Sequence, residues 1–125
     1  MQLFLDATMN ISWNDKDPIY RQLHDHLVDM ILEGVYRNGD ALPSVRQISS
    51  ENRINPITVS KAFQILVDDE VVEKRRGLGM YVMVGAREKL AEDQKNTFMS
   101  EEWPRILEKI ARLGLSVQVL LGEAK

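Results

Sequence analysis

The 125-residue chain has no cysteine. That excludes disulfides and thiolate-bound metals, and it fits a protein of a reducing compartment such as the cytoplasm. Histidine is nearly missing too, with His24 and His26 alone. Side chains two positions apart on a helix do not face each other, so the pair is a poor joint ligand set and no metal site is expected. No apolar run approaches the roughly 18–20 residues that cross a bilayer. The start, Met1-Gln2-Leu3-Phe4-Leu5-Asp6, lacks a basic stretch followed by a long apolar one, so neither a signal peptide nor a membrane partner is expected. Catalytic signatures are missing as well. There is no Gly-x-Ser-x-Gly turn and no Walker-type phosphate loop. Gly77-Leu78-Gly79 has neither the third glycine nor the following helix that a dinucleotide site needs. No catalytic residue, no cofactor and no enzyme activity are expected.

Excess positive charge is also absent: the formal net charge is −3. Taken alone, this argues mildly against a nucleic-acid partner. The charges are unevenly spread, however. Up to Tyr36 the acids are Asp6, Asp15, Asp17, Asp25, Asp29 and Glu33, against only Lys16 and Arg21. Arg46, Arg53, Lys61, Lys74, Arg75 and Arg76 follow in the middle of the chain. The local field at one surface, rather than the sum, decides whether an anion is attracted there.

What is present is concentrated between Leu42 and Val84. Ser44 precedes a helical run and Gln47 follows it three residues on, the pattern of a capping box. Asn55-Pro56 is a second helix start, with Asn able to accept from an orphan amide and Pro pre-set for the first helical position. Glu51 to Ile54 leaves only a few turn residues between them, which is helix-turn-helix spacing. In the second helix Val59, Ala62, Phe63 and Leu66 form an apolar stripe at helical spacing and are predicted to face the core. Asn55, Ile57, Thr58 and Lys61 are then left at its N-terminal end, the end that enters a DNA major groove in such motifs. Val71 to Val84 reads as a hairpin with Lys74, Arg75 and Arg76 ahead of Gly77 and Gly79. Glycines permit close backbone approach and the cations neutralise phosphate. Asp68-Asp69-Glu70 makes an acidic end to the reading helix, so that end should point away from DNA.

The flanks are simpler. Residues 1–17, with Leu3, Leu5 and Met9 alternating before Ile11-Ser12-Trp13, suggest a short strand or an extended arm. Asp17-Pro18 opens a helix to about Glu33, with Ile19, Leu23, Leu27, Met30 and Ile31 on one face and Gly34 as its stop. Tyr36 to Asp40 reads as a turn. Domain boundaries are expected at 1–84 and 85–125. In the second part Arg87 to Lys95 is a charged helix former, Ser100-Glu101-Glu102-Trp103-Pro104 resembles a fresh helix start, and Gly114 ends it. Leu115 to Leu121 is compatible with helix or strand. Leu90, Phe98, Trp103, Ile106, Leu107, Ile110, Leu113 and Leu120 are apolar there, and so short a segment cannot enclose them. A second copy of the chain is the simplest cover, so these are the candidate dimerisation residues.

The strings Leu42-Pro43-Ser44-Val45-Arg46, Asn55-Pro56-Ile57-Thr58-Val59-Ser60-Lys61-Ala62 and Arg76-Gly77-Leu78-Gly79-Met80-Tyr81-Val82 resemble the GntR family of bacterial winged-helix transcription regulators. The likeness runs from about Pro18 to Val84 and includes Gly34-Val35-Tyr36-Arg37-Asn38-Gly39-Asp40. The short remainder is similar to the YtrA-like subgroup, whose second domain is a pair of dimerising helices. The resemblance implies an α+β fold: a winged helix-turn-helix domain followed by a short all-helical dimerisation tail. It implies a homodimeric, cytoplasmic repressor on a pseudo-palindromic double-stranded DNA operator, with room for an unidentified small-molecule effector. It also places a DNA-contacting arginine at Arg46. The candidate DNA-binding residues are thus Ser44, Arg46, Asn55, Pro56, Ile57, Thr58, Lys61, Lys74, Arg75, Arg76, Gly77 and Gly79. The alternative reading is a winged-helix module that binds protein and makes no base contacts.

Overall fold

The computed structural model describes residues 11–123. The alternation at Leu3, Leu5 and Met9 lies outside the described residues. Helix α1 runs Ile19–Leu32, α2 Val45–Asn52 and α3 Pro56–Asp68. Strands β1, Val72–Arg75, and β2, Gly79–Val82, follow, and then α4, Ala86–Thr97. A π-helical segment, Phe98–Glu102, leads into α5, Trp103–Arg112, and α6 is Val117–Glu123. The fold is α+β, and the chain divides into two compact units, Met1–Leu90 and Ala91–Lys125.

Residues 11–17 form a loop rather than a strand. Asn14 Oδ1 accepts from the Lys16 and Asp17 amides at 2.9 and 3.1 Å. The Gln22 side chain clasps the loop, accepting from the Asn14 N–H at 2.9 Å and donating to the Asp17 carbonyl at 2.7 Å. Helix α1 therefore starts against a tied-down loop, with no side-chain cap from Asp17. Its other end closes as expected at Gly34, φ +84°. There the Val35 and Gly34 amides donate to the Met30 and Ile31 carbonyls at 2.9 and 3.1 Å, the paired bonds of a Schellman motif.

The core of the first unit joins every element of it. Leu23, Leu27 and Ile31 of α1 meet Val59, Phe63 and Leu66 of α3, with Ile48 from α2 and Val72 and Val82 from the hairpin. Tyr36 joins them, its hydroxyl buried without a hydrogen-bond partner among the described residues. Burial, and then the nearby Glu51 carboxylate, push the Tyr36 phenol up from its ordinary value.

Two features depart from the sequence reading. The segment after Tyr36 is more than a turn. The Gly39 and Leu42 amides donate to the Val82 and Met80 carbonyls, both at 2.8 Å, and the Val82 amide donates to Asp40 O at 2.9 Å. Ala41 thereby bridges Tyr81 antiparallel, as a rudimentary third strand beside β2. The second departure is the boundary. Ala86 and Leu90 are buried in the first unit's core, so that unit reaches past Val84 into the first turns of α4. The Arg87 guanidinium donates to the Leu32 carbonyl at 3.0 Å and the Lys89 ammonium to that of Asp69, which ties the helix start to the ends of α1 and α3.

In the second unit the Ser100-Glu101-Glu102 sequence starts no new helix. It lies within the π-helical segment, where the Trp103 amide donates to the Phe98 carbonyl five residues back. The widened turn suits Pro104, which has no amide to give and whose ring would crowd a normal α-turn. It also brings the Phe98 and Trp103 rings to one side, with centroids 6.1 Å apart. Of Leu115 to Leu121, Val117 onward resolves as helix, and Ser116 caps α6 by accepting from the Val119 amide at 3.1 Å.

Candidate nucleic-acid interface

Helix α2 begins as its sequence predicts. Ser44 Oγ accepts from the Gln47 amide at 3.0 Å, leaving the hydroxyl hydrogen free to donate outward. The reciprocal half of the capping box does not form, because the Gln47 side chain donates to Glu51 at 3.3 Å instead. Arg46 is exposed in the first turn, and no described carboxylate lies within ion-pair distance of it. The turn between α2 and α3 is clamped by Ser49, whose hydroxyl donates to the Ile54 carbonyl at 2.6 Å while its own carbonyl accepts from the Ile54 amide at 3.2 Å. Arg53 closes α2 in the left-handed region at φ 53°, a conformation uncommon for a residue with a side chain.

Asn55 caps α3, accepting from the Ile57 amide at 2.9 Å, with Pro56 first in the helix. The carboxamide N–H groups of Asn55 are not used by the cap and remain as donors. Val59, Ala62, Phe63 and Leu66 are all buried, so the predicted stripe is the inner face. The outer face is consequently Ile57, Ser60, Lys61 and Gln64, all exposed, while Thr58 is half-buried. Ser60 and Gln64 are absent from the candidate set, although the helical period that marked the inner stripe also points to them. Lys61 is steadied by a Tyr20 ring, its ammonium 4.0 Å from the ring centroid. Gln64 donates to Asp68 at 2.9 Å.

The hairpin pairs Glu73 with Tyr81, Lys74 with Met80 and Arg75 with Gly79. Its tip is a tight turn, with the Leu78 amide donating to Arg75 O at 2.8 Å. Gly77 stands at φ +77°, as the third position of a type II turn requires. Alternation separates the basic residues, which the sequence reading treats alike. Arg75 shares a face with Glu73 and Tyr81; its Nε donates to Glu73 Oε1 at 3.0 Å and its guanidinium lies 4.1 Å from the Tyr81 ring centroid. Lys74 is on the other face, lining a groove with Ser44, Ser60 and Gln64. Arg76 occupies the turn itself.

Helix α2, the clamped turn, α3 with its polar outer end, and a basic hairpin define a winged helix-turn-helix, a DNA-binding class. The family model for bacterial regulatory proteins of the gntR family matches residues 19–82. The HTH-type transcriptional repressor YtrA of Bacillus subtilis is 33% identical over 103 residues, which is 82% of this chain and 78% of that protein. A GntR family transcriptional regulator from Listeria monocytogenes superposes with a TM-score of 0.72 at 25% identity, covering 90% of this chain and 96% of the other. One from Bacteroides thetaiotaomicron gives 0.69 at 31% identity, with 85% and 93% covered. The chain belongs to the GntR family of bacterial regulatory proteins and carries its DNA-binding domain.

The remaining predicted residues lie in the tail. Phe98, Ile106 and Leu107 are 39–40% exposed and Leu113 is 61% exposed, with Trp103, Ile110 and Leu120 half-buried. Leu90 is the exception. At 9% exposure it belongs to the first unit's core and cannot serve as a dimer contact, because the side chains around it already cover it.

Proposed function

We propose that the protein is a transcriptional repressor of the cytoplasm that binds a pseudo-palindromic operator as a homodimer. The observation that carries the reading is the outer end of α3. Its apolar face is spent on the core, leaving Asn55, Ile57, Ser60 and Lys61 outward, with Ser44 and Arg46 exposed at the start of α2. Arg46, Lys61, Lys74 and Arg76 are all exposed, and none of them is within ion-pair distance of a described carboxylate. Such a cationic set outweighs the chain's mildly acidic sum at the DNA surface. Pro56, Thr58, Gly77 and Gly79 contribute shape: they set the helix start and let the hairpin tip approach the duplex closely.

The tail supports two-fold pairing. Trp103, Ile106, Leu107 and Ile110 recur at helical spacing, and no side chain from Ala91 to Gly122 is buried. An exposed apolar stripe of this kind marks an interaction surface, and an isologous dimer is the commonest solution. Two reading heads then meet half-sites about one helical turn, ~34 Å, or a multiple of it apart. Release by a small-molecule effector is part of the proposal, with the ligand open. The test is selection of bound duplexes from a random pool by the full chain, followed by affinity measurements over a salt series. We expect an inverted repeat, and a binding constant that falls steeply with salt. A pool that yields no preferred sequence would sink the reading.

A further inference from the structure

Ile57 is the second residue of α3 and is 75% exposed, although isoleucine is a residue that folding normally hides. Nothing in the core accounts for it, because the buried stripe of α3 lies on the other side. Its backbone is fixed by the cap, the amide donating to Asn55 Oδ1 at 2.9 Å. Its side chain is stiff at χ1, since β-branching leaves one strongly preferred χ1 setting in a helix. It is also the one apolar member of the outer face, standing a turn before Ser60 and Lys61. The helix therefore presents a rigid hydrocarbon knob at the end where a reading helix meets base edges.

In the major groove the four bases display donors, acceptors and a single kind of apolar group, the C5-methyl of thymine. We infer that Ile57 reads that methyl, making thymine the required base at one position of each half-site. This rests on the DNA-reading role proposed above and adds to it, for Ile57, a base and an atom. The selection works in both directions. Against thymine, two apolar groups leave water together. Against guanine, adenine or cytosine, the same knob would strip water from a polar edge and offer no hydrogen bond in return.

Deoxyuridine tests this directly, because it keeps every hydrogen-bonding group of thymine and lacks only the methyl. With an operator selected by the full chain, each thymine of the half-site is replaced in turn by deoxyuridine. Affinity is then measured for the wild-type protein and for Ile57→Ala. One position per half-site should weaken wild-type binding about fourfold, the worth of one buried methyl group. At that position Ile57→Ala should bind the thymine and deoxyuridine duplexes equally, with its thermal unfolding unchanged because the side chain is exposed. The inference is overturned if no deoxyuridine position weakens binding, or if every such effect persists in Ile57→Ala. Failure to select any operator would instead remove the DNA-reading role itself, and this assignment with it.

Discussion

Leu23, Leu27 and Ile31, on one face of α1, are completely buried, whereas Ile106, Leu107 and Leu113, at comparable helical spacing in and just after α5, are 39–61% exposed. The two sets are built from the same residue types. Three helices and a hairpin close over the first, while the described part of the tail, one continuous helical run from the end of α4 through α5 and then the short α6, has too few layers to close over the second. A helical stripe thus announces a face that must be covered and says nothing of what covers it. The first unit meets that need within itself, and among the described residues the second leaves its face exposed.

The largest effect should come from treating the two units alike. Phe63→Ala removes a side chain that is 1% exposed and should cost about 3–5 kcal/mol of folding stability by denaturant unfolding. Ile106→Asp in the tail should leave the first unit's unfolding transition in place. It should weaken self-association by about 2 kcal/mol or more, roughly thirtyfold, in sedimentation. Equal losses of stability from both substitutions would erase the contrast.

Leu90 sharpens the line between the units. Its stripe position, read from sequence, assigns it to the dimer face, but its burial assigns it to the core. Leu90→Ala should therefore cost about 2–3 kcal/mol of folding stability, at the lower end of the range for buried leucines. The dimer dissociation constant should stay unchanged under conditions where the variant is folded. A loosened dimer with normal stability would return Leu90 to the interface.

The two stripes also show what was legible in the sequence and why. The starts of α2 and α3 were readable because capping is local: Ser44 and Asn55 bond to amides two or three residues away. The inner stripe of α3 and the stop at Gly34 were readable for the same reason. The bridge at Ala41 was not, since its partner Tyr81 is distant in the chain and one ladder pair leaves no periodic signal. The differing fates of Lys74 and Arg75 depended on strand register, which three adjacent cations do not reveal. Ser60 and Gln64 are another kind of miss. Their outward position follows from the stripe already found, by taking the opposite side of the same helix.

The DNA surface of the first unit should be separable from its core. Arg46→Ala should weaken operator binding by about 1–3 kcal/mol with stability unchanged, since the side chain is exposed and free of described carboxylates. Replacing Arg75 and Arg76 together by Gln should lower the salt slope by roughly one for each phosphate no longer neutralised. Arg75 contributes the smaller part, its charge being shared with Glu73. An unchanged affinity in Arg46→Ala would mean that α2 meets DNA in another orientation.

The smallest effects compare two helix ends of the first unit that share one motif. At the end of α1, Gly34 takes the left-handed position, and at the end of α3 Glu70 takes it, with φ 59°. The bonding is the same at both ends. The Val71 and Glu70 amides donate to the Leu66 and Val67 carbonyls at 2.9 and 3.0 Å, matching those of Val35 and Gly34. Only the residue type differs, so the two sites respond oppositely to substitution. A side chain at this conformation costs about 1–2 kcal/mol. Gly34→Ala should therefore destabilise by about 1 kcal/mol, even though no heavy atom of a described residue beyond its chain neighbours lies within 4 Å of where the new Cβ would stand. Glu70→Gly relieves the same cost but gives the unfolded chain more freedom to lose, so its net gain should be below about 1 kcal/mol. It also removes an anion from a helix C-terminus, where the dipole disfavours one, and this adds to the gain at low salt. Unfolding of both variants at low and high salt checks the pair. Glu70→Gly should be more stable than wild type by a margin that shrinks as salt rises, while the Gly34→Ala loss stays constant. A destabilised Glu70→Gly would mean that the glutamate side chain makes an interaction that outweighs its backbone strain.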